Sequence, residues 1–130
     1  MEIFDHNNQP LEEWRPGVTT RMRFSASIGG MQLTIFEQWC DPGLGAPTHC
    51  HPVEELLSVI DGNAEIWADG SERVIVTRGQ SVVVRPGQRH NFRNCGRDQL
   101  HMQFTLASPI FEATYDDGTV SRRWVAEQGD

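Results

Sequence analysis

Basic side chains are scarce in this 130-residue sequence, which has 11 Arg and Lys residues against 18 Asp and Glu residues and a formal net charge of −7 at pH 7. No cluster of basic residues is larger than a pair such as Arg122–Arg123. Binding to nucleic acid depends on cationic side chains that neutralise phosphates. The composition therefore argues against a nucleic-acid partner.

Long apolar runs and a cysteine framework are also lacking. No stretch is long enough to span a bilayer, and Met1–His6 does not have the charged and apolar regions of a signal peptide. The three cysteines, Cys40, Cys50 and Cys95, form neither a CxxC pair nor an even set. We therefore expect a soluble, cytoplasmic protein without a membrane partner, folded as a single domain over residues 1–130.

Short alternating segments separated by Gly, Pro and Asp turns fill most of the chain, and no convincing amphipathic helix of ordinary length is present. This pattern predicts an all-β antiparallel sandwich or barrel. Asp61–Gly62 and Asp69–Gly70 are favourable hairpin turns, because glycine adopts positive φ at little steric cost. The expected strands are Arg21–Ser27, Met31–Trp39, Glu55–Ile60, Ala64–Ala68, Glu72–Val76, Ser81–Arg85, Asn91–Asn94, Leu100–Leu106 and Val120–Val125.

Two segments are ambiguous at this stage. Within Met31–Trp39 the alternation of apolar and polar residues breaks at Phe36 and Glu37, so either Glu37 points toward the interior or a bulge shifts the register. Of the four tryptophans, Trp39 is the one that we expect could line the cavity. The polar segment Asp5–Arg15 is interpreted as a loop, a short helical turn or an arm packed on a neighbouring chain.

Four residues have the spacing of a metal site divided between two β-hairpins: His49, His51 and Glu55 in the first and His90 in the second. Residues two apart on a strand point to the same face, roughly 6.6 Å apart, so two imidazoles can reach one ion while Cys50 faces away. Three imidazoles and a carboxylate suit a first-row divalent metal.

The neighbouring Glu54 competes with Glu55 for the carboxylate position. Strand alternation allows only one of the two to face inward, and the spacing favours Glu55. If the metal prefers six ligands, two positions stay open to water, dioxygen or a chelating substrate, as expected of a catalytic site. The sequence does not identify the metal, and Fe, Mn, Ni, Zn and Cu are all candidates.

Both segments resemble the two motifs of the cupin superfamily. The first motif, at residues 43–62, is matched at every fixed position by Gly43, His49, His51, Glu55 and Gly62, and the second, at residues 79–94, by Gly79, Gly87, His90 and Asn94. The family's proline is expected at position 85, where this chain has Arg85 and Pro86 follows. This departure changes the turn and leaves the histidine in register.

The resemblance implies a double-stranded β-helix, the jelly-roll barrel of two antiparallel sheets, with the metal inside one mouth. It also implies a homodimer, since cupins of this length often pair. His101 is interpreted as a hydrogen-bonded residue of the interior, a partner of the metal ligands or a solvent-facing group, and His6 as exposed. Arg21 either faces an anionic substrate or pairs with a surface acid.

Three classes of function are compatible with these residues. The first is a metalloenzyme of the dioxygenase type acting on a small molecule, similar to the quercetin dioxygenase-like cupins, with Glu55 as a metal ligand or a catalytic base. The second is a redox-neutral isomerase, lyase or cyclase acting on a sugar acid or hydroxy-carbonyl compound. Trp14, Gly17, Val18 and Arg21 resemble the start of small cupins that process unsaturated uronates, although those have glutamine near the position of Glu55. The third is a non-catalytic module that binds a ligand with the help of the metal.

Overall fold

The computed structural model describes residues 1–127 as an all-β fold with twelve strands and two short 3₁₀ turns. The strands are β1 Glu12–Arg15, β2 Val18–Phe24, β3 Thr34–Cys40, β4 Gly45–Cys50, β5 Glu55–Asp61, β6 Asn63–Ala68, β7 Val74–Thr77, β8 Ser81–Val84, β9 His90–Asn94, β10 Leu100–Leu106, β11 Phe111–Tyr115 and β12 Val120–Arg123. The 3₁₀ turns are His6–Asn8 and Ala26–Ile28.

The strands form two antiparallel sheets of six strands each. The first sheet has the order β1-β2-β3-β10-β5-β8, and the second has the order β12-β11-β4-β9-β6-β7. Apolar side chains from both sheets meet in one buried core, as alternation along each strand requires. The all-β jelly-roll prediction is confirmed.

Aromatic side chains fill one end of the core. Phe36 stacks on Phe104 with ring centroids 4.7 Å apart, and Trp14, Phe111 and Trp124 pack around Phe36 at centroid distances between 5.2 and 5.7 Å. Aromatic pairs at these distances add to the free energy gained from burying apolar area. This cluster closes the barrel beside the cavity described below.

The strand connections differ from the predicted hairpins at the functional motifs. Strand β5 belongs to the first sheet and β6 to the second, so Asp61–Gly62 carries the chain between sheets. The β4–β5 and β8–β9 connections also cross between the sheets, and the two motifs are therefore not hairpins. Asp69–Gly70, in contrast, lies between β6 and β7, which pair antiparallel, so that hairpin prediction is confirmed.

Three strands were not among those expected: β1, β4 and β11. The sequence of β1 is charged, and β4 contains a glycine and a proline, so neither shows clear apolar alternation. The five residues of β11, Phe-Glu-Ala-Thr-Tyr, do alternate, and this short strand was missed. Their pairing partners define them instead, because β1 adds to β2, and β11 joins β4 to β12. The segment Asp5–Arg15 is thus a 3₁₀ turn followed by a strand.

The expectation for β3 is also corrected. Its pairing with β10 is continuous, and the register shift beside Phe36 lies in the neighbouring strand β2, between Met22 and Phe24. Phe36 and Gln38 face the interior, whereas Glu37 and Trp39 lie on the outer face of the first sheet, opposite Gln103 and His101 respectively. Trp39 therefore does not line the cavity. Glu37 is buried on the outer face because polar side chains cover it. The apolar or polar character of the residues in β3 therefore does not show which of them face the interior.

Candidate metal centre

The four residues of the predicted metal site meet inside the barrel. His49 lies in β4, His51 follows the end of β4, Glu55 begins β5 and His90 begins β9. One potential ligand atom from each side chain lies within 4.8 Å of those from the other three, and all four residues are buried. The histidines come from the second sheet and the carboxylate from the first, so the centre lies between the sheets.

Backbone carbonyls orient all three imidazoles. Nδ1 of His49 lies 2.6 Å from the carbonyl oxygen of Pro47, Nδ1 of His51 lies 2.7 Å from that of Glu112, and Nδ1 of His90 lies 2.9 Å from that of Gln88. A carbonyl oxygen only accepts hydrogen bonds, so each Nδ1 donates and each neutral ring keeps a lone pair on Nε2. Fixing the tautomer through the second nitrogen is the usual arrangement of metal-binding histidines.

The carboxylate of Glu55 faces two of these rings. Oε1 lies 3.0 Å from Nε2 of His90, and Oε2 lies 3.4 Å from Nε2 of His51. Nε2 of His51 is buried and has no hydrogen bond of good geometry among the described residues. The neighbouring Glu54 is exposed and pairs with Arg85, so Glu55 is the inward carboxylate of the pair, as predicted.

Burial and mutual interaction shift the pKa values of these groups. Burial and the neighbouring histidines lower the pKa of His49 to about 4. Burial alone would raise the pKa of Glu55, but the adjacent imidazoles of His51 and His90 outweigh it and lower the pKa. Burial also opposes protonation of His51, yet Glu55 outweighs it and raises the pKa. The centre therefore favours a carboxylate anion and a neutral His49, the protonation states that coordinate metal.

The donor set fits a divalent transition metal. The unpaired Nε2 of His51 and the close approach of two electron-rich atoms, Nε2 of His90 and Oε1 of Glu55, call for a cation or a proton between them. Imidazole nitrogens with one carboxylate suit Fe, Mn, Ni, Zn or Cu rather than Mg or Ca, which prefer oxygen ligands. These four residues could hold one metal ion.

A small cavity of about 20 Å³ adjoins the four residues. This volume is enough for about one water molecule. The wall is mainly apolar and aromatic, with Arg15, Gln38 and Tyr115 as further polar groups. The lining residues are Trp14, Arg15, Phe36, Gln38, Ala46, Pro47, His49, His51, Glu55, Leu57, His90, Phe92, Phe104, Phe111 and Tyr115.

Several of these cavity residues were not expected from the sequence. Trp14 and Arg15 line the cavity, although strand alternation would direct adjacent residues to opposite faces. Tyr115 also lines it, with its ring centroid 5.8 Å from that of His49. Gln38 donates from Nε2 to the Thr20 hydroxyl at 2.9 Å. The only sequence signal was the position of Gln38 on the face of β3 opposite Trp39.

Other candidate residues lie away from the centre. Nε2 of His101 donates to the carboxylate of Glu37 at 2.8 Å on the outer face of the first sheet, where Nε of Arg21 also donates to Glu37 at 2.8 Å. Arg21 thus pairs with an acid and does not line the cavity. Cys50 is outside the lining as well, and His6 is half-buried beside Gln9 rather than exposed.

The fold and the buried His and Glu cluster define a cupin-type barrel with a candidate metal centre. The family model described as the cupin domain matches residues 38–106, more than half of the chain. The chain therefore belongs to the cupin family. A search of curated proteins found no match.

Solved structures similar to this chain carry several different activities in their names. KdgF from Halomonas sp. has a TM-score of 0.69 and 17% identity, with 82% of this chain and 94% of that chain covered. The polyketide cyclase RemF from Streptomyces resistomycificus has a TM-score of 0.71 and 18% identity, with 82% and 78% covered.

A third similar structure is an oxalate decarboxylase from Lactobacillus farciminis in complex with formate. It has a TM-score of 0.77 and 17% identity, and the alignment covers 88% of this chain but only 35% of that one. At these identities the likeness establishes the fold and leaves the reaction open. Within residues 1–127, no helix is long and apolar enough to cross a membrane.

Proposed function

We propose that this chain is a metal-dependent cupin enzyme of the dioxygenase type that acts on a small molecule. His49, His51, Glu55 and His90 hold one divalent transition metal, which supplies open coordination positions and Lewis acidity when bound. The observation that carries the proposal is the common orientation of the three imidazoles, each held through Nδ1 with Nε2 directed inward.

Glu55 is the residue to which we assign a catalytic role. Its carboxylate is buried, and its pKa is lowered by His51 and His90, so it stays ionised. In that state Oε1 or Oε2 accepts a proton from a substrate in the adjoining cavity whenever the carboxylate is not occupied as a ligand. The aromatic wall formed by Phe36, Phe104 and Phe111 limits the water that can reach this step.

A redox-neutral isomerase, lyase or cyclase reaction is the second candidate, and Tyr115 favours it. A phenol in the cavity wall beside His49 provides a proton donor for an oxygen that gains charge when a carbonyl compound forms an enolate. Glu55 would remove the proton from carbon and Tyr115 would supply one to oxygen. This division of roles requires no oxidant.

The first experiment separates these reactions from simple ligand binding. Protein purified from its native source is analysed for metals, then screened with small hydroxy-carbonyl compounds and sugar acids. Oxygen uptake that requires Fe(II) supports the dioxygenase reaction, whereas anaerobic turnover with Zn(II) or Ni(II) supports the redox-neutral one. Saturable ligand binding without product in either condition indicates a binding module and contradicts the enzymatic proposal.

Glu54 and Glu55 form a matched pair for testing the carboxylate. Glu55→Gln and Glu54→Gln each replace a carboxylate by an amide of nearly the same shape, but only Glu55 faces the centre. We expect Glu55→Gln to lower turnover at least about tenfold, within the range for a lost acid or base, and Glu54→Gln to leave it unchanged. Equal activity in both variants would exclude Glu55 from the reaction.

We also propose that residues 1–130 form one domain that pairs as a homodimer. Leu56 and Val83 are cross-strand partners on the outer face of the first sheet, and both are more than 40% exposed. Exposed apolar residues that lie together often mark contacts between chains. Light scattering coupled to gel filtration should give a dimer mass, reduced to that of a monomer by Val83→Lys. The cytoplasmic location stays a prediction.

A further inference from the structure

Arg15 is the one arginine that lines the cavity beside the candidate metal centre. All 11 basic residues of the chain are arginines. Seven of them form ion pairs with carboxylates of described residues: Arg21, Arg73, Arg85, Arg89, Arg93, Arg122 and Arg123. Within residues 1–127 Arg15 forms none, so the cavity wall contains a half-buried cation without an anionic partner.

A bulge in β1 directs Arg15 inward. The register against β2 is Glu12 with Thr20 and Glu13 with Thr19, but it shifts before Arg15, which pairs with Val18. The shift places both Trp14 and Arg15 in the cavity wall, although regular alternation would separate them. Bulges frequently occur beside active sites, where they redirect a side chain.

The guanidinium is held in place from one side. Nε of Arg15 donates to the carbonyl oxygen of Gly45 at 3.0 Å, and Nη2 donates to the same oxygen. Gly45 begins β4, the strand that carries His49, so this contact ties the cation to the metal-site strand. Nη1 has no hydrogen bond to any described residue and can donate to a ligand.

The positive charge of Arg15 acts on groups inside the barrel. Burial raises the pKa of the Cys40 thiol to about 12, and Arg15 is a neighbouring charge that acts in the opposite direction. With a divalent metal bound, the carboxylate of Glu55 leaves a net charge of +1 at the centre, and Arg15 adds another. A cavity with mainly apolar walls and this excess of positive charge attracts anions.

The approach to the cavity is also cationic. A surface groove of about 490 Å³ shares Arg15, Ala46, Pro47 and Phe92 with the cavity wall, and Arg73 and Arg93 line it too. These two arginines pair with Glu65 at 3.2 Å, which neutralises one of their charges. The groove therefore remains positive in a protein of net charge −7.

We propose that Arg15 binds the carboxylate of a small organic anion in the cavity, and that the substrate of this enzyme is therefore a small carboxylate. The inference rests on the proposed function, since the same ligand would reach the metal held by His49, His51, Glu55 and His90. Arginine suits this task because its planar guanidinium donates several hydrogen bonds to a carboxylate. The cavity volume of about 20 Å³ limits the part of the ligand that enters it to a few atoms.

The test uses acetate as the probe and acetamide as its neutral analogue. Protein loaded with Co(II) is titrated with each, and the visible spectrum of the ion reports binding. We expect saturable spectral changes with acetate and none with acetamide at the same concentration. In Arg15→Gln the acetate affinity should fall at least about tenfold, or about 1.4 kcal/mol, and Arg15→Lys should recover part of it.

The exposed Arg78 provides the control, because it lies outside the cavity and forms no ion pair among the described residues. Arg78→Gln should bind acetate like the wild type. If Arg15→Gln keeps one Co(II) per chain and the wild-type acetate affinity, the assignment of Arg15 is wrong. Equal responses to acetate and acetamide would likewise overturn it.

A second measurement separates this inference from the metal centre itself. If the wild type takes up no Co(II), the proposed metal centre fails, and the Nε–H nuclear magnetic resonance signal of Arg15 is then followed in metal-free protein. The signal is assigned by its loss in Arg15→Gln. A saturable shift with acetate supports the role of Arg15, and a signal that does not respond contradicts it.

Discussion

Nε2 of His90 lies 3.0 Å from Oε1 of Glu55, while Nδ1 of the same ring lies 2.9 Å from the carbonyl oxygen of Gln88. Because Nδ1 of His90 donates its hydrogen to the carbonyl oxygen of Gln88, the neutral ring presents the lone pair of Nε2 to a carboxylate oxygen. Such a contact is favourable only with a cation or a proton between the two atoms. The tautomer of His90 therefore decides whether the negative charge of Glu55 needs a cation beside it.

Removing His90 should remove the metal and leave the barrel folded. We expect His90→Ala and His51→Ala to bind less than a tenth of the metal of the wild type, with an unchanged circular dichroism spectrum, because each loses an inward-facing nitrogen. Metal content measured on dialysed protein checks this. His101→Ala is the control, since His101 contacts Glu37 on the outer face and should keep full stoichiometry. Full metal content in both site variants would show that the ligands are assigned incorrectly.

The metal affinity should fall as the pH is lowered. Glu55 raises the pKa of His51 above its ordinary value of 6.5, and the metal must displace that proton, whereas His49 with a pKa of about 4 stays neutral until much lower pH. His51 binds the proton that competes with the metal at pH values below its raised pKa and loses it above that pKa. The affinity for the metal therefore rises with pH. We expect a loss of about tenfold per pH unit from near neutrality downward, and a steeper loss near pH 4.

Competition titrations with a chelator at constant ionic strength, between pH 8 and pH 4, measure this dependence. The fluorescence of the four tryptophans, recorded on the same samples, shows whether the protein is still folded at each pH. A constant affinity between pH 8 and pH 5.5 would contradict proton competition at His51.

The meeting of the four side chains could be predicted from the sequence because it depends largely on local geometry. His49 and His51 are two residues apart, and Glu54 and Glu55 are adjacent, so strand alternation alone selects the inward side chains. The crossing of both motifs between the sheets could not be predicted in this way. Asp61–Gly62 has the sequence of a tight hairpin, yet β5 pairs with β10 and β8 rather than with β6.

The cavity wall depends on long-range pairing, which explains why it was not predicted. Arg15 and Trp14 face the same side only because the register of β1 against β2 shifts between Glu13 and Arg15. Tyr115 reaches the cavity because β11 pairs with β4, more than sixty positions earlier in the chain. Neither relationship leaves a periodic pattern in the local sequence.

The buried carboxylate of Glu37 should contribute to stability without affecting the metal. Arg21 and His101 both bond to it, and it is only 4% exposed. Glu37→Gln should lower the free energy of unfolding by about 2 kcal/mol, the cost expected when a buried hydrogen-bonded charge loses its partner. Urea titrations at pH 7 measure this loss, and metal content should be unchanged. A loss of bound metal would show that the outer face is coupled to the centre.

The effect of Glu37 should depend on pH in a defined direction. Burial alone would raise its pKa, but His101 and Arg21 outweigh burial and lower the pKa below the ordinary value of 4.5. A carboxylate whose pKa is lower in the folded than in the unfolded protein stabilises the fold at pH values above its unfolded-state pKa. This contribution is lost as the pH falls through its folded-state pKa. The difference between wild type and Glu37→Gln should therefore shrink below pH 4.5. A difference that grows in acid would reverse the assigned sign.

Gly45 should tolerate no side chain, because the strands approach too closely there. A Cβ atom at this position would lie 2.1 Å from the carbonyl oxygen of Phe92 and 2.7 Å from Cα of Arg93. Both are backbone atoms, so β4 must shift away from β9 to accept alanine. We expect Gly45→Ala to lower the free energy of unfolding by about 2 kcal/mol, a typical cost of overpacking, and to weaken metal binding because His49 lies on the same strand.

Gly96→Ala is the matched control for this substitution. Its closest contact would be 3.2 Å to Nδ2 of Asn63, the end of a side chain that can move. The free energy of unfolding should change by less than about 0.5 kcal/mol. Urea unfolding and metal content are measured on both variants. If β4 accommodates alanine without loss of stability or of bound metal, Gly45→Ala will be indistinguishable from Gly96→Ala. In that case the spacing between β4 and β9 would not be what holds His49 and His90 together.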